Sequence, residues 1–180
     1  MLAPCAVECA DRSASWNLAT ESFAGIKVMT LYKYCEERGI PLLTHGGSGG
    51  FAVLRKRRLK AYTAISKWEK TLWVLPRLGH PRRKALLRLI LDRPNLYVDI
   101  SCHATKPKYY SRLRRALDRL NEEERATIRE RILFGTDFAV SLMMIESYTA
   151  YLRLFSESQA ITDEERELFC SINPARFLFR

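Results

Sequence analysis

Ile132-Leu133-Phe134-Gly135-Thr136-Asp137 is a short apolar run that ends on a carboxylate, and helix-length segments lie before and after it. An apolar run of that length between such segments reads as a buried strand. The same pattern recurs upstream. Asn95-Leu96-Tyr97-Val98-Asp99-Ile100-Ser101 is the clearest strand, and Ile40-Pro41-Leu42-Leu43-Thr44-His45 is an apolar run that ends on a histidine. The latter leads into Gly46-Gly47-Ser48-Gly49-Gly50, where the backbone turns freely. Phe23–Met29, apolar with a β-branched content, is expected to be a further strand, and a fifth is placed around Leu72–Leu78.

Between these runs the apolar spacing is helical. Leu31, Tyr34 and Cys35 share a face of a helix over Thr30–Arg38, which Gly39 stops. A helix is expected over Ala64–Leu75 on Ile65, Trp68, Leu72 and Leu75, and Pro76 and Pro81 bracket a break after it. Leu86, Leu87, Ile90 and Leu91 make the apolar face of Lys84–Leu91. Further helices are expected over Lys108–Leu120, Glu122–Arg131, Met143–Ser156 and Thr162–Cys170. Thr162 and Glu165 form a capping box for the last of these. Residues 173–179 read as a tail. Strands alternating with helices imply βα units and a parallel sheet. With no internal repeat or low-complexity linker, one domain is expected over 23–180, after a poorly specified segment 1–22.

The chain has 180 residues, 47% of them hydrophobic, enough for one domain with its own core. No apolar run approaches the roughly 20 residues of a membrane helix. Residues 1–22 lack the basic-then-apolar pattern of a secretory signal. Five scattered cysteines fit a reducing compartment better than a disulfide framework, so a soluble cytoplasmic protein is expected. The net charge of +10 is densest at Arg55-Lys56-Arg57-Arg58 with Lys60 and at Arg82-Arg83-Lys84. Such runs can bind nucleic acid, but no stacking or recognition motif accompanies them, and a solvated helix face is the simpler reading.

Two predicted strands carry a ligand-type residue at the C-terminal end, His45 and Asp137. That end is the functional face of parallel α/β folds. An imidazole and a carboxylate brought together there suit a divalent metal such as zinc. From spacing alone, His45 also fits a loop-bonded histidine, and Asp137 fits the cap of a following helix.

Taken in order, Tyr34–His45, Asn95–Ser101, Ile132–Asp137 and Asn173–Leu178 resemble the C-terminal half of the amidohydrolase-related family of metal-dependent hydrolases. The resemblance covers residues 23 to 179. It implies an incomplete TIM-barrel-like (β/α) fold, about strands 4 to 8, with a metal at the C-terminal face. By that resemblance His45 is the metal ligand after the fifth strand, and Asp137, after the eighth, touches metal and handles the proton of the attacking water. His80 stands where a sixth-strand ligand is expected, and His103 follows the seventh strand as a substrate-facing candidate. Lys27 lies where some relatives carry a modified lysine ligand, and here it is read as an ordinary strand lysine.

The family's His-x-His pair is missing, the only histidines being His45, His80 and His103. A whole barrel of this kind takes about 250 residues. The expectation is therefore a metal-dependent hydrolase or decarboxylase domain acting on a small molecule, truncated and with activity in doubt. A complementing chain or a second copy would be its partner. The competing readings are a non-catalytic half-barrel binding or assembly module and a basic nucleic-acid-binding protein.

Overall fold

The computed structural model describes residues 26–43, 73–75, 83–100, 108–135 and 148–179. Its elements run α1 (Ile26–Glu37), β1 (Leu42–Leu43), β2 (Trp73–Leu75), α2 (Arg83–Asp92), β3 (Leu96–Asp99), α3 (Lys108–Leu117), α4 (Glu122–Arg129) and β4 (Ile132–Leu133). There follow α5 (Tyr148–Ser156), α6 (Asp163–Glu167), a π-helical stretch Leu168–Ile172, and α7 (Asn173–Leu178).

The four strands form one sheet in the order β1-β2-β3-β4, every neighbouring pair parallel. Spatial order that follows chain order is the winding of a (β/α) barrel wall. A doubly wound sheet would reverse direction at a switch point. The register brings Leu43 beside Val74, Leu75 beside Val98, and Asp99 beside Leu133, so all four strands point their C-terminal ends the same way.

On β1, β3 and β4 successive side chains alternate between the two faces of this wall. Leu42, Leu96, Val98, Ile100 and Ile132 join the main core with Leu86, Leu87 and Ile90 of α2, Tyr110, Leu113 and Leu117 of α3, and Ile128 of α4. On the opposite face Tyr97 and Leu133 pack with Phe177 of α7 in a separate small cluster. The Tyr97 and Phe177 rings meet edge-on, with centroids 5.0 Å apart. The outer face is thus sealed by helices, and the inner face is floored by the last helix.

Local signals explain the helix ends. Gly39, at φ 64°, takes the left-handed position after α1. Its N–H donates to the Glu36 carbonyl at 3.3 Å, and the Ile40 N–H donates to the Cys35 carbonyl at 2.9 Å, the paired bonds of a Schellman motif. Asn121 caps α4, accepting from the Glu124 N–H at 2.8 Å while Glu124 accepts from the Asn121 N–H. The capping box expected at Thr162 and Glu165 is present, with Thr162 Oγ1 accepting at 3.2 Å. Arg131, just before β4, donates to the Ile90 carbonyl and to the Arg93 carbonyl at 3.2 Å, placing a cation on the carbonyl end of α2.

Several expectations need correction. Residues 26–29 begin α1 instead of ending a strand, so Lys27 is helical; residues 23–25 lie outside the described residues. Periodicity cannot separate a short apolar run from a helix, and here the run continues into the face carrying Tyr32 and Cys35. That face also differs from the expected one: Tyr34 is exposed, with the Arg38 guanidinium 3.9 Å above its ring. Trp73-Val74-Leu75 is strand β2, which corrects the end of the helix expected over Ala64–Leu75 and agrees with the strand placed around 72–78. Residues 173–178 form a helix, with Pro174 tolerated in its first turn. Residues 168–172 are π-helical.

Candidate functional site

The inner face of the wall carries Leu43 on β1, Tyr97 and Asp99 on β3, and Leu133 on β4. Tyr97 and Leu133 are buried, Asp99 is half-buried and Leu43 is exposed. The inner face is therefore apolar at its base and carries a carboxylate at the C-terminal end of β3.

That end is held rigidly. The Ile100 N–H donates to the Leu133 carbonyl at 3.1 Å, extending the β3–β4 ladder one residue past the strand. The Phe134 N–H donates to the Phe169 carbonyl at 2.9 Å. Phe169 lies in the π-helical stretch, where shifted backbone pairing leaves carbonyls available to other donors. At the other end of β4, Asn173 Nδ2 donates to the Arg129 and Ile132 carbonyls, both at 2.8 Å. The strand that leads to Gly135-Thr136-Asp137 is thus gripped from both sides by the C-terminal helices.

A buried ion network fixes those helices to the layer beneath. Glu165 is 1% exposed; its carboxylate accepts from Arg114 and from the Thr162 N–H at 3.0 Å, and it forms an ion pair with Arg129, whose Nε lies 3.1 Å away. Arg114 Nε also donates to the Ala160 carbonyl at 3.0 Å. Nothing in the spacing of Glu165 beyond its capping role signals that it is also the counter-ion of two arginines.

His45, His80, His103 and Asp137 lie outside the described residues. Each follows a described strand: His45 comes two positions after β1, His80 five after β2, His103 four after β3 and Asp137 four after β4. Among the described residues no group of three or more His, Cys, Asp or Glu is placed to hold a metal ion. No described helix is long and apolar enough to cross a membrane.

The family model for amidohydrolases matches residues 10–180. The chain belongs to the amidohydrolase family. Among solved structures, this amidohydrolase is similar to an uncharacterized TIM-barrel protein from Bordetella bronchiseptica at 18% identity and TM-score 0.65, over 88% of this chain and 52% of that one. It is also similar to a probable 2-pyrone-4,6-dicarboxylic acid hydrolase from Acinetobacter baumannii, at 11% identity and TM-score 0.64, over 88% and 59% of the two chains. A 2,6-dihydroxybenzoate decarboxylase, in complex with 2,6-dihydroxybenzoate, matches at 11% identity and TM-score 0.54, over 87% and 56%. At these identities the likeness shows the fold, which is that of a TIM-barrel wall. The chain spans between half and three-fifths of the lengths of these structures. No curated protein matches it significantly.

Proposed function

We propose that the chain supplies the C-terminal-face wall of a metal-dependent hydrolase or decarboxylase site acting on a small molecule. The observation that carries this is the in-register wall of four parallel strands, each followed within five residues by one of His45, His80, His103 and Asp137. Leu133 faces inward and Leu43 alternates with core-facing Leu42.

The donor set, two imidazoles and a carboxylate, fits a divalent metal, with zinc the best chemical match. His45 and Asp137 are its proposed ligands, with His80 a third. Such an ion supplies Lewis acidity toward water and a substrate oxygen. Asp137 would accept the proton of the attacking water, and His103 would face the substrate. Tyr97, Leu133 and Phe177 close the base of the wall and keep solvent from entering beneath the reacting groups.

An eight-stranded barrel needs a second set of strands opposite β1–β4. A complementing chain or a second copy is one source of those strands, and turnover is expected to depend on their presence. The test is zinc titration of the purified chain, followed by screening of aromatic carboxylic acids and cyclic esters as substrates with and without a candidate partner. Zinc binding that His45→Ala and Asp137→Ala both weaken supports the reading. Zinc binding that neither variant changes contradicts it.

A further inference from the structure

We propose that Asn173 and Phe169 form a latch on the free edge of β4. The latch occupies the backbone groups that a further parallel strand would use, and so keeps a strand of a second copy from pairing there. It is independent of the metal-site reading above.

β4 ends the sheet: it pairs with β3 on one side and, among the described residues, with no strand on the other. Successive residues of a strand turn their backbone groups to opposite neighbours. Toward β3, the Arg131 carbonyl accepts from the Val98 N–H at 2.9 Å and the Leu133 carbonyl from the Ile100 N–H at 3.1 Å. Ile132 and Phe134 therefore turn their backbone groups to the free edge. An added parallel strand would set one residue opposite Leu133. That residue would donate its N–H to the Ile132 carbonyl and accept from the Phe134 N–H. Both groups are already taken. Asn173 Nδ2 donates to the Ile132 carbonyl at 2.8 Å, and the Phe134 N–H donates to the Phe169 carbonyl at 2.9 Å. Asn173 and Phe169 together stand in for one residue of a strand.

The sequence of that turn explains why the Phe169 carbonyl is available. In the π-helical stretch Leu168–Ile172 the Asn173 N–H donates to the Leu168 carbonyl, five residues back. The next bond in that register would run from residue 174 to the Phe169 carbonyl, and residue 174 is a proline, which has no N–H. The carbonyl is thus left for Phe134. The Asn173 side chain also donates to the Arg129 carbonyl at 2.8 Å, tying the edge of β4 to the end of α4. Its Oδ1 is buried and accepts no hydrogen bond among the described residues, so the amide serves purely as a donor. Phe169 and Asn173 are both fully buried, so a strand from another molecule reaches these groups only after the latch opens. An uncovered edge is a template for pairing with another chain, and covering it with the chain's own groups prevents that.

The test follows the full chain by sedimentation velocity over a range of concentrations, by circular dichroism, and by hydrogen exchange at the Phe134 and Ile100 amides. It compares wild type, Asn173→Ala, Pro174→Ala and Leu113→Ala. Leu113 lies in the main core on α3, so its truncation lowers stability without touching the latch. In the wild type the Phe134 N–H should exchange as slowly as the Ile100 N–H, and in Asn173→Ala about tenfold faster or more. Asn173→Ala, still folded, should form larger species with rising concentration than wild type or Leu113→Ala. Pro174→Ala returns an N–H that competes for the Phe169 carbonyl, and it should shift both readings the same way by less. A folded Asn173→Ala that associates no more than wild type overturns the latch. So does association in Leu113→Ala equal to that in Asn173→Ala, which would trace it to lost stability alone. If Asn173→Ala does not fold, Pro174→Ala decides, and wild-type exchange and size in that variant overturn the proposal. Fast exchange of the Phe134 N–H in the wild type overturns it outright.

Discussion

The side-chain amide of Asn173 donates to the carbonyl of Ile132 at 2.8 Å, joining the first residue of α7 to the first residue of β4. The same nitrogen donates to the Arg129 carbonyl at 2.8 Å, and Asn173 is fully buried. Asn173→Ala leaves two backbone carbonyls without this donor. Each such group costs about 1–3 kcal/mol when buried, so a loss of about 2–3 kcal/mol is expected. Urea denaturation should show it as a lower midpoint with an unchanged slope.

Glu165 answers Arg114, Arg129 and the Thr162 N–H with one buried carboxylate. Glu165→Gln removes the charge and leaves both guanidinium groups facing a neutral amide. Breaking a buried pair from one side costs about 3–5 kcal/mol, and partial exposure of the arginines puts the expected loss near the lower end. The Lys33–Glu37 pair is a control on α1, 3.9 Å apart with both side chains more than half exposed. Lys33→Ala should leave the denaturation midpoint unchanged within error.

Phe177 floors the inner face against Tyr97 and Leu133. Phe177→Ala should cost about 3–5 kcal/mol through lost burial and the cavity left behind. Phe179, two residues on and 68% exposed, makes the paired control, and Phe179→Ala should change stability little. Equal effects of the two substitutions would contradict the floor assigned to α7.

Cys170 lies in the π-helical stretch, and although the residue is exposed overall, burial pushes its thiol up from the ordinary value. Burial disfavours the thiolate, so the reactive fraction at neutral pH is smaller than for a free cysteine. Alkylation of Cys170 by iodoacetamide should be slow at pH 7.5, and its rate should climb only as pH passes above the usual thiol range. Modification as fast as that of a free cysteine would contradict this.

The fold was legible where the pattern had one solution. Leu96–Asp99 and Ile132–Leu133 are strands because apolar runs this short, set between helical segments, leave little else. The face of α2 was readable from Leu86, Leu87 and Ile90 at helical spacing. The strand expected over Phe23–Met29 is helix at residues 26–29, because a short apolar run fits either period and the packing of Tyr32 and Cys35 selects the helix. Residues 173–178 passed for a tail because Pro174 suggests a break, whereas a proline is well tolerated in a first turn. Of the site, the ligand-type residues were visible as ends of apolar runs. In the sequence Asp99 reads only as part of a strand, since its inward direction follows only once Leu96 and Val98 are seen to face the helices. The pairing of Glu165 with Arg114 and Arg129 spans 51 and 36 residues and leaves no local trace.

The central claim, that strand-end residues of this wall hold a metal, is tested most directly by elemental analysis for zinc, manganese and iron in the purified chain, beside His45→Ala and Asp137→Ala. Near-stoichiometric metal in the wild type that falls in both variants is the predicted result. Metal at background in the wild type even after loading, or equal in all three proteins, would contradict the claim.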